Sequence, residues 1–131
     1  MESPLVWIID DDNLFYMITK NNLRKTGIEA TTEFFYDGLD SLNALIERVK
    51  NKEPLPVLII LDLNMPMYDG WSFLQGYMTL PLETRSKMKL HICSSSIDPA
   101  DISRAEEIPD VLGFQEKPLS TELLQKLLSG S

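Results

Sequence analysis

The sequence holds a single cysteine, Cys93, and a single histidine, His91. A lone thiol excludes an internal disulfide and any multi-cysteine metal cluster, a usage that fits a reducing compartment. Positive charge is also scarce. Twelve Lys and Arg stand against 20 Asp and Glu, a formal net charge of −8, so no sequence-independent hold on a phosphate backbone and no polybasic membrane anchor is expected. Long apolar runs are missing as well: no stretch approaches the roughly 20 residues of a membrane span. Met1-Glu2-Ser3-Pro4 carries no positive region ahead of the first apolar run, as a secretory signal would. The expectation is a cytoplasmic protein with no direct nucleic-acid or membrane contact.

What is present suffices for one domain spanning residues 1–131, with a core from about residue 5 to residue 128. In 131 residues, 44% are apolar and 24% charged, the composition of an ordinary globular fold. Leu5-Val6-Trp7-Ile8-Ile9 and Val57-Leu58-Ile59-Ile60-Leu61 are apolar runs shaped like strands buried on both faces. Residues Ile28–Phe35, Leu90–Cys93 and Val111–Gln115 complete five strands. Between them, helices are predicted from Asn13, as N-cap, through Thr26 with Leu14, Met17 and Ile18 on one face; around Leu42, Leu45, Ile46 and Val49; over Trp71–Met78; from Asp98-Pro99 to about Glu107; and after Ser120, with Leu123, Leu124, Leu127 and Leu128. Strands alternating with helices of this length give an α/β fold, a parallel sheet with helices on both faces.

Ligands of such sheets sit outside the carboxyl ends of the strands. There the first strand delivers Asp10, Asp11 and Asp12, the third Asp62 and Asn64, the fourth Ser94 and Ser95, the fifth Glu116 and Lys117. Carboxylates gathered at a solvent-facing rim repel one another unless a cation sits among them, and oxygen donors without His or Cys select Mg²⁺ or Mn²⁺. A lysine and a serine hydroxyl at the same rim suit a phosphoryl group. Asp62 is then placed as a nucleophile able to hold that group as an acyl phosphate.

Ile8-Ile9-Asp10-Asp11-Asp12, Leu61-Asp62-Leu63-Asn64-Met65-Pro66 with Asp69-Gly70, Cys93-Ser94-Ser95 and Glu116-Lys117-Pro118 together resemble the receiver domains of two-component response regulators. The resemblance runs from about Leu5 to Leu128. It implies a flavodoxin-like (βα)5 fold with strand order 2-1-3-4-5. It further implies Asp62 as phosphoacceptor, Mg²⁺ or Mn²⁺ held by Asp10, Asp11, Asp62 and the backbone carbonyl of Asn64, Ser94 as switch hydroxyl and Lys117 as phosphate-contacting lysine. Pro118 matches a cis-proline and Phe114 an aromatic switch. Ser94 replaces the commoner threonine, Phe114 lacks a tyrosine hydroxyl, and the segment Asn51-Lys52-Glu53-Pro54 is longer than usual.

The implied function is a phosphorelay switch, not a turnover enzyme. It would receive its phosphoryl group from a histidine kinase or a histidine phosphotransfer protein and act, as monomer or weak dimer, on a downstream protein. The face read by that protein would combine the helix after Pro99, the fifth strand and the last helix. The receiver uses the whole chain, so output is expected to run through another protein unless the chain is a piece of a longer one. An aspartate-nucleophile, Mg²⁺-dependent phosphatase is the alternative, and Asn64 speaks against it where such an enzyme wants a second carboxylate as general acid. A nucleotide or flavin site lacks its Gly-rich loop, and a docking module with a dead site is disfavoured because each chemical position is filled. Asp12 reads as a helix start, Asp69-Gly70 as a turn and helix start, Ser95 and Ser96 as loop hydroxyls, His91 as a packed or edge residue, and Cys93, Trp7 and Trp71 as packing.

Overall fold

Leu5–Ile9 and Leu58–Leu61 form strands β1 and β3. Their unbroken apolar content has its cause in burial on both faces, since no residue from Val6 to Ile9 or from Leu58 to Leu61 is more than 1% exposed. The computed structural model describes residues 3–95 and 98–129; Ser96 lies outside them. The remaining elements are α1 (Asn13–Lys25), β2 (Thr31–Phe35), α2 (Gly38–Lys50), α3 (Gly70–Tyr77), α4 (Leu82–Arg85), β4 (Lys89–Ser94), α5 (Pro99–Glu106), β5 (Val111–Glu116) and α6 (Thr121–Leu128). All strand pairs are parallel, in the order β2-β1-β3-β4-β5, which is the expected flavodoxin-like arrangement. From β1 the chain crosses to β2 on one side and then back to β3 on the other. The crevice of the sheet therefore opens at the carboxyl ends of β1 and β3.

Two apolar layers enclose the sheet. Val6, Ile8, Leu58, Ile60 and Cys93 pack with Phe15 and Leu23 of α1 and Leu124 of α6. On the other face Trp7, Ile9, Ile59, Leu61, Leu90 and Ile92 meet residues of α2, α3 and α5, among them Leu45, Phe73, Tyr77 and Ala105.

Several local expectations need correction. Leu14, Met17 and Ile18 do share a face of α1, but it is the outer one: they are exposed, and Phe15, Thr19 and Leu23 are buried. Both sets recur at helical spacing, and a buried threonine hides the inner one from an apolar pattern. The N-cap is Asp12, whose side chain accepts from the Leu14 and Phe15 amides, so Asn13 is already helical. In α2, Leu42 and Leu45 are buried while Ile46 is exposed. Strand β2 begins at Thr31, later than predicted, and β3 at Leu58.

The polar stretch before β4 contains the extra helix α4. Arg85, its last residue, donates through Nε to the Leu80 carbonyl at 2.9 Å and pairs through Nη1 with Asp110 at 2.8 Å. That partner lies 25 residues away, so no local pattern announces the helix.

Candidate functional site

Register builds the site. In the β1–β3 ladder Ile9 lies opposite Leu61, so the next residues, Asp10 and Asp62, emerge side by side at the crevice. The Asp62 amide continues the ladder onto the Ile9 carbonyl at 2.9 Å, and the Asp10 amide reaches the Phe35 carbonyl of β2 at 2.9 Å. Both aspartates are thus fixed at the backbone before their side chains meet anything. The carboxylates do not stand at a solvent-facing rim as expected: Asp10 is 0% and Asp62 4% exposed, whereas Asp11 is exposed. One oxygen from each of Asp10, Asp11 and Asp62 lies within 4.8 Å of the others.

The neighbours of these oxygens are donors. The Asp12 amide donates to Asp10 Oδ1 at 2.8 Å and the Asn64 amide to Asp62 Oδ1 at 3.3 Å. Lys117, one residue beyond β5, brings Nζ to 2.7 Å from Asp10 Oδ2 and 3.7 Å from Asp62 Oδ2. Its backbone amide donates to the Ser94 carbonyl at 2.8 Å, tying the ends of β4 and β5 together. The Lys117–Pro118 peptide bond is cis, in keeping with the resemblance. Ser94 is 1% exposed, and its hydroxyl accepts from Asn64 Nδ2 at 3.2 Å. Phe114 lies half-buried in β5 opposite Ile92, against the α2/α3/α5 side of the core. Ser95 is exposed.

Electrostatics follow from this enclosure. Burial pushes the Asp10 carboxyl up to about 6, with Asp62 adding to the rise and Lys117 and the Asp12 amide opposing it. Burial raises Asp62 too, against Lys117 and the Asn64 amide, while Asp11 adds to the rise. Burial disfavours the Lys117 ammonium, yet Asp10 and Asp62 outweigh it and hold the group above its usual value. One ammonium thus shares two partly desolvated carboxylates and leaves the third, Asp11, outside its reach.

Such an all-oxygen cluster fits a hard divalent cation. Ligands on one Mg²⁺ lie roughly 3–4 Å apart, a spacing within the bound set by these three side chains. The carboxylates' raised affinity for protons has the same origin as their affinity for such an ion, namely negative charge held in a poorly solvated place.

Three features of the site escaped the sequence. Phe15 places its ring 4.6 Å from Lys117 Nζ, a cation–π contact that steers the ammonium from the α1 side; an aromatic residue one helical step after the aspartates is its only local trace. The side chain of Asn64, expected to matter through its backbone carbonyl alone, reaches Ser94. Asp69 does N-cap α3, through the Ser72 amide, but Gly70 has a role beyond starting a helix. A Cβ there would collide with the Asp62 carbonyl oxygen and come within 2.8 Å of Leu63 Cα. Glycine is what lets α3 press against the segment carrying Asp62.

Other residues fall where packing places them. Cys93 is buried, its thiol pushed up to about 12 by desolvation, and is inert core. His91 is buried in the middle of the sheet, not at an edge. Trp7 is fully buried and donates to Glu33 at 2.8 Å, while Trp71 carries the Arg104 guanidinium 4.1 Å over its ring.

This geometry has close relatives. A two component response regulator from Cytophaga hutchinsonii superposes with a TM-score of 0.88 at 26% identity, covering 99% of this chain and 97% of that one. A response regulator receiver protein from Dyadobacter fermentans gives 0.80 at 27% identity, over 98% and 97%. Transcriptional regulatory protein PrrA of Mycobacterium tuberculosis is 36% identical over 70 residues, which are 53% of this chain and 27% of PrrA, so the match spans about a quarter of that relative's length. The family model for the response regulator receiver domain matches residues 6–129, and the chain belongs to that family of two-component signalling domains.

Proposed function

We propose that Asp62 accepts a phosphoryl group from the phosphohistidine of a histidine kinase or histidine phosphotransfer protein, and that the chain works as a switch and not as a turnover enzyme. The observation that carries this reading is the pairing of a nearly buried Asp62 carboxylate with Lys117 at 3.7 Å beside two further aspartates. In the transfer an Asp62 oxygen forms a bond to phosphorus as the phosphorus–nitrogen bond of the donor breaks, and the imidazole nitrogen leaves to be protonated by solvent.

Asp10, Asp11, Asp62 and the Asn64 carbonyl would hold Mg²⁺, or Mn²⁺, which supplies charge neutralisation for the transferring phosphoryl oxygens when bound. The chain's own groups do the rest. Lys117 presents a point charge to a phosphoryl oxygen, the Asn64 amide already points at Asp62, and the Ser94 hydroxyl has a hydrogen to donate. The phosphoryl group brings about two negative charges to this pocket. Movement of Ser94 toward it and of Phe114 into the vacated space would then alter the α5/β5/α6 face for a downstream protein. A cytoplasmic site of action, without direct nucleic-acid or membrane contact and as monomer or weak dimer, accords with the lone buried thiol and the net charge of −8; among the described residues no helix is long and apolar enough to cross a membrane.

Incubation with Mg²⁺ and a small phosphodonor such as acetyl phosphate, followed by intact mass, tests the reading. A gain of one phosphoryl group, absent when the metal is chelated, is expected. No gain in the presence of Mg²⁺ overturns it.

A further inference from the structure

Asn64 and Ser94 stand 30 residues apart in sequence and join the ends of β3 and β4, with Asn64 Nδ2 donating to Ser94 Oγ at 3.2 Å. Among the described residues this is the only hydrogen bond made by the Ser94 side chain. Ser94 is 1% exposed, so water offers its hydroxyl little in exchange, and a buried hydroxyl without a partner is unfavourable. The backbone at Ser94 is pinned independently, its carbonyl accepting from the Lys117 amide at 2.8 Å. What Asn64 fixes is therefore the side-chain rotamer and not the strand.

We propose that Asn64 is a positioning residue for the switch: its carboxamide holds the Ser94 hydroxyl in the phosphate-free arrangement, and through it the resting packing of Phe114. The proposal rests on the reading of Asp62 as phosphoacceptor and Ser94 as the hydroxyl that follows it.

Chemistry and placement agree. The amide uses a lone pair of Oγ and leaves the hydroxyl hydrogen unspent, so Ser94 can trade a neutral hydrogen bond to Asn64 for a charge-assisted one to a phosphoryl oxygen. Asn64 lies two residues after Asp62, so one short segment carries both the acceptor of the signal and the group restraining the first residue to respond. The β4–β5 ladder sets Ile92 opposite Phe114 and Ser94 opposite Glu116, which puts Ser94 two residue pairs along the ladder from the aromatic ring, with only Cys93 and Gln115 between. A ligand shifts a two-state equilibrium only by its differential interaction with the two states. Asn64 contributes to one of those states, so it helps set the resting balance.

Amide spectra of the phosphate-free protein decide the matter. Asn64→Ala should displace the resonances of Phe114 and Ala105 in the parent background and in Ser94→Thr, which keeps the hydroxyl. In Ser94→Ala the same substitution should leave them where Ser94→Ala alone puts them, because the group through which Asn64 acts is gone. Unmoved Phe114 and Ala105 in Asn64→Ala overturn the proposal, as does an equal displacement in the Ser94→Ala background. These spectra contain no phosphate, so failure of the parent to gain a phosphoryl group would sink the functional reading alone.

Discussion

Lys117 Nζ lies 2.7 Å from Asp10 Oδ2 and 3.7 Å from Asp62 Oδ2, so in the phosphate-free protein the ammonium leans on the candidate metal-ligand aspartate and not on the candidate nucleophile. With 14% of the lysine and 1% of the Asp10 side chain exposed, the pair is nearly desolvated. Removing one partner leaves a buried charge uncompensated, which costs on the order of 3 kcal/mol. Lys117→Met should lower metal-free stability by about that amount in urea unfolding. The same variant should gain more from millimolar Mg²⁺ than the parent does, since the ion would then be the sole counter-charge. Equal Mg²⁺ gains in both proteins would mean that ammonium and metal do not share Asp10.

The proton competes for the same carboxylates. Asp10 titrates near 6 when folded, against 3.8 as its unperturbed value, so between these limits the folded chain binds more protons than the unfolded one. Metal-free stability from this group therefore falls as pH rises from about 4 to 6. Mg²⁺ needs the deprotonated form and opposes that loss. The rise in melting temperature on adding Mg²⁺ should accordingly be larger at about pH 7.5 than at about pH 5, following the ratio of free ion to its dissociation constant. A rise independent of pH would place the ion away from Asp10.

Asp62→Asn removes the nucleophile at almost constant volume. Burial already disfavours the Asp62 charge, so the neutral amide should leave metal-free stability unchanged or slightly higher while phosphoryl uptake is lost. Intact mass and a urea midpoint check both halves. Uptake at the parent's yield would move the acceptor to another residue.

His91 supplies a pH dependence of opposite sign. It is 5% exposed, neither ring nitrogen has a hydrogen-bond partner among the described residues, and its ring fills the space left by Gly113, where a Cβ would come 2.5 Å from Cε1. Burial lowers its affinity for protons. The unfolded chain then binds the proton more readily, and the stability is present above pH 6.5 and lost as pH falls through that value toward the folded pKa. His91→Leu should lose less stability than the parent between about pH 7.5 and 5.5, by at most about 1.4 kcal/mol per pH unit. The Asp10 contribution is common to both proteins and cancels. Equal losses would assign the acid sensitivity elsewhere.

How much of this was legible follows from range. Strands β1 and β3 announce themselves because burial on both faces demands an unbroken apolar run, and each run stops at the aspartate that matters. Asp10, Asp62, Ser94 and Lys117 are thus placed at one end of the sheet by the sequence pattern alone. Contacts between side chains far apart in sequence are not. Asn64 on Ser94, Lys117 over Phe15 and Arg85 on Asp110 leave no local periodicity, and the last of them ties α4 to the chain just ahead of β5. The inner face of α1 failed for a different reason, two helical stripes competing with the more apolar one turned outward.

Backbone strain in the segment after Asp62 gives the last prediction. Met67 adopts φ 69 with its side chain fully exposed, so it occupies the left-handed region without any packing of its own in return. That conformation costs a residue with a Cβ about 1 kcal/mol, more when the side chain is β-branched. The Tyr68 amide donating to the Pro66 carbonyl at 2.8 Å, and Gly38 donating to the Tyr68 carbonyl at 3.2 Å, hold the turn closed around it. Met67→Gly relieves the strain and gives back part of the gain as unfolded-state entropy, so its stability should equal or exceed the parent's by up to about 1 kcal/mol. Met67→Val keeps the strain and adds branching, and should be less stable than the parent. Urea midpoints ranked glycine, methionine, valine check the turn. A valine variant as stable as the glycine one would show that the backbone at this position is not left-handed in solution.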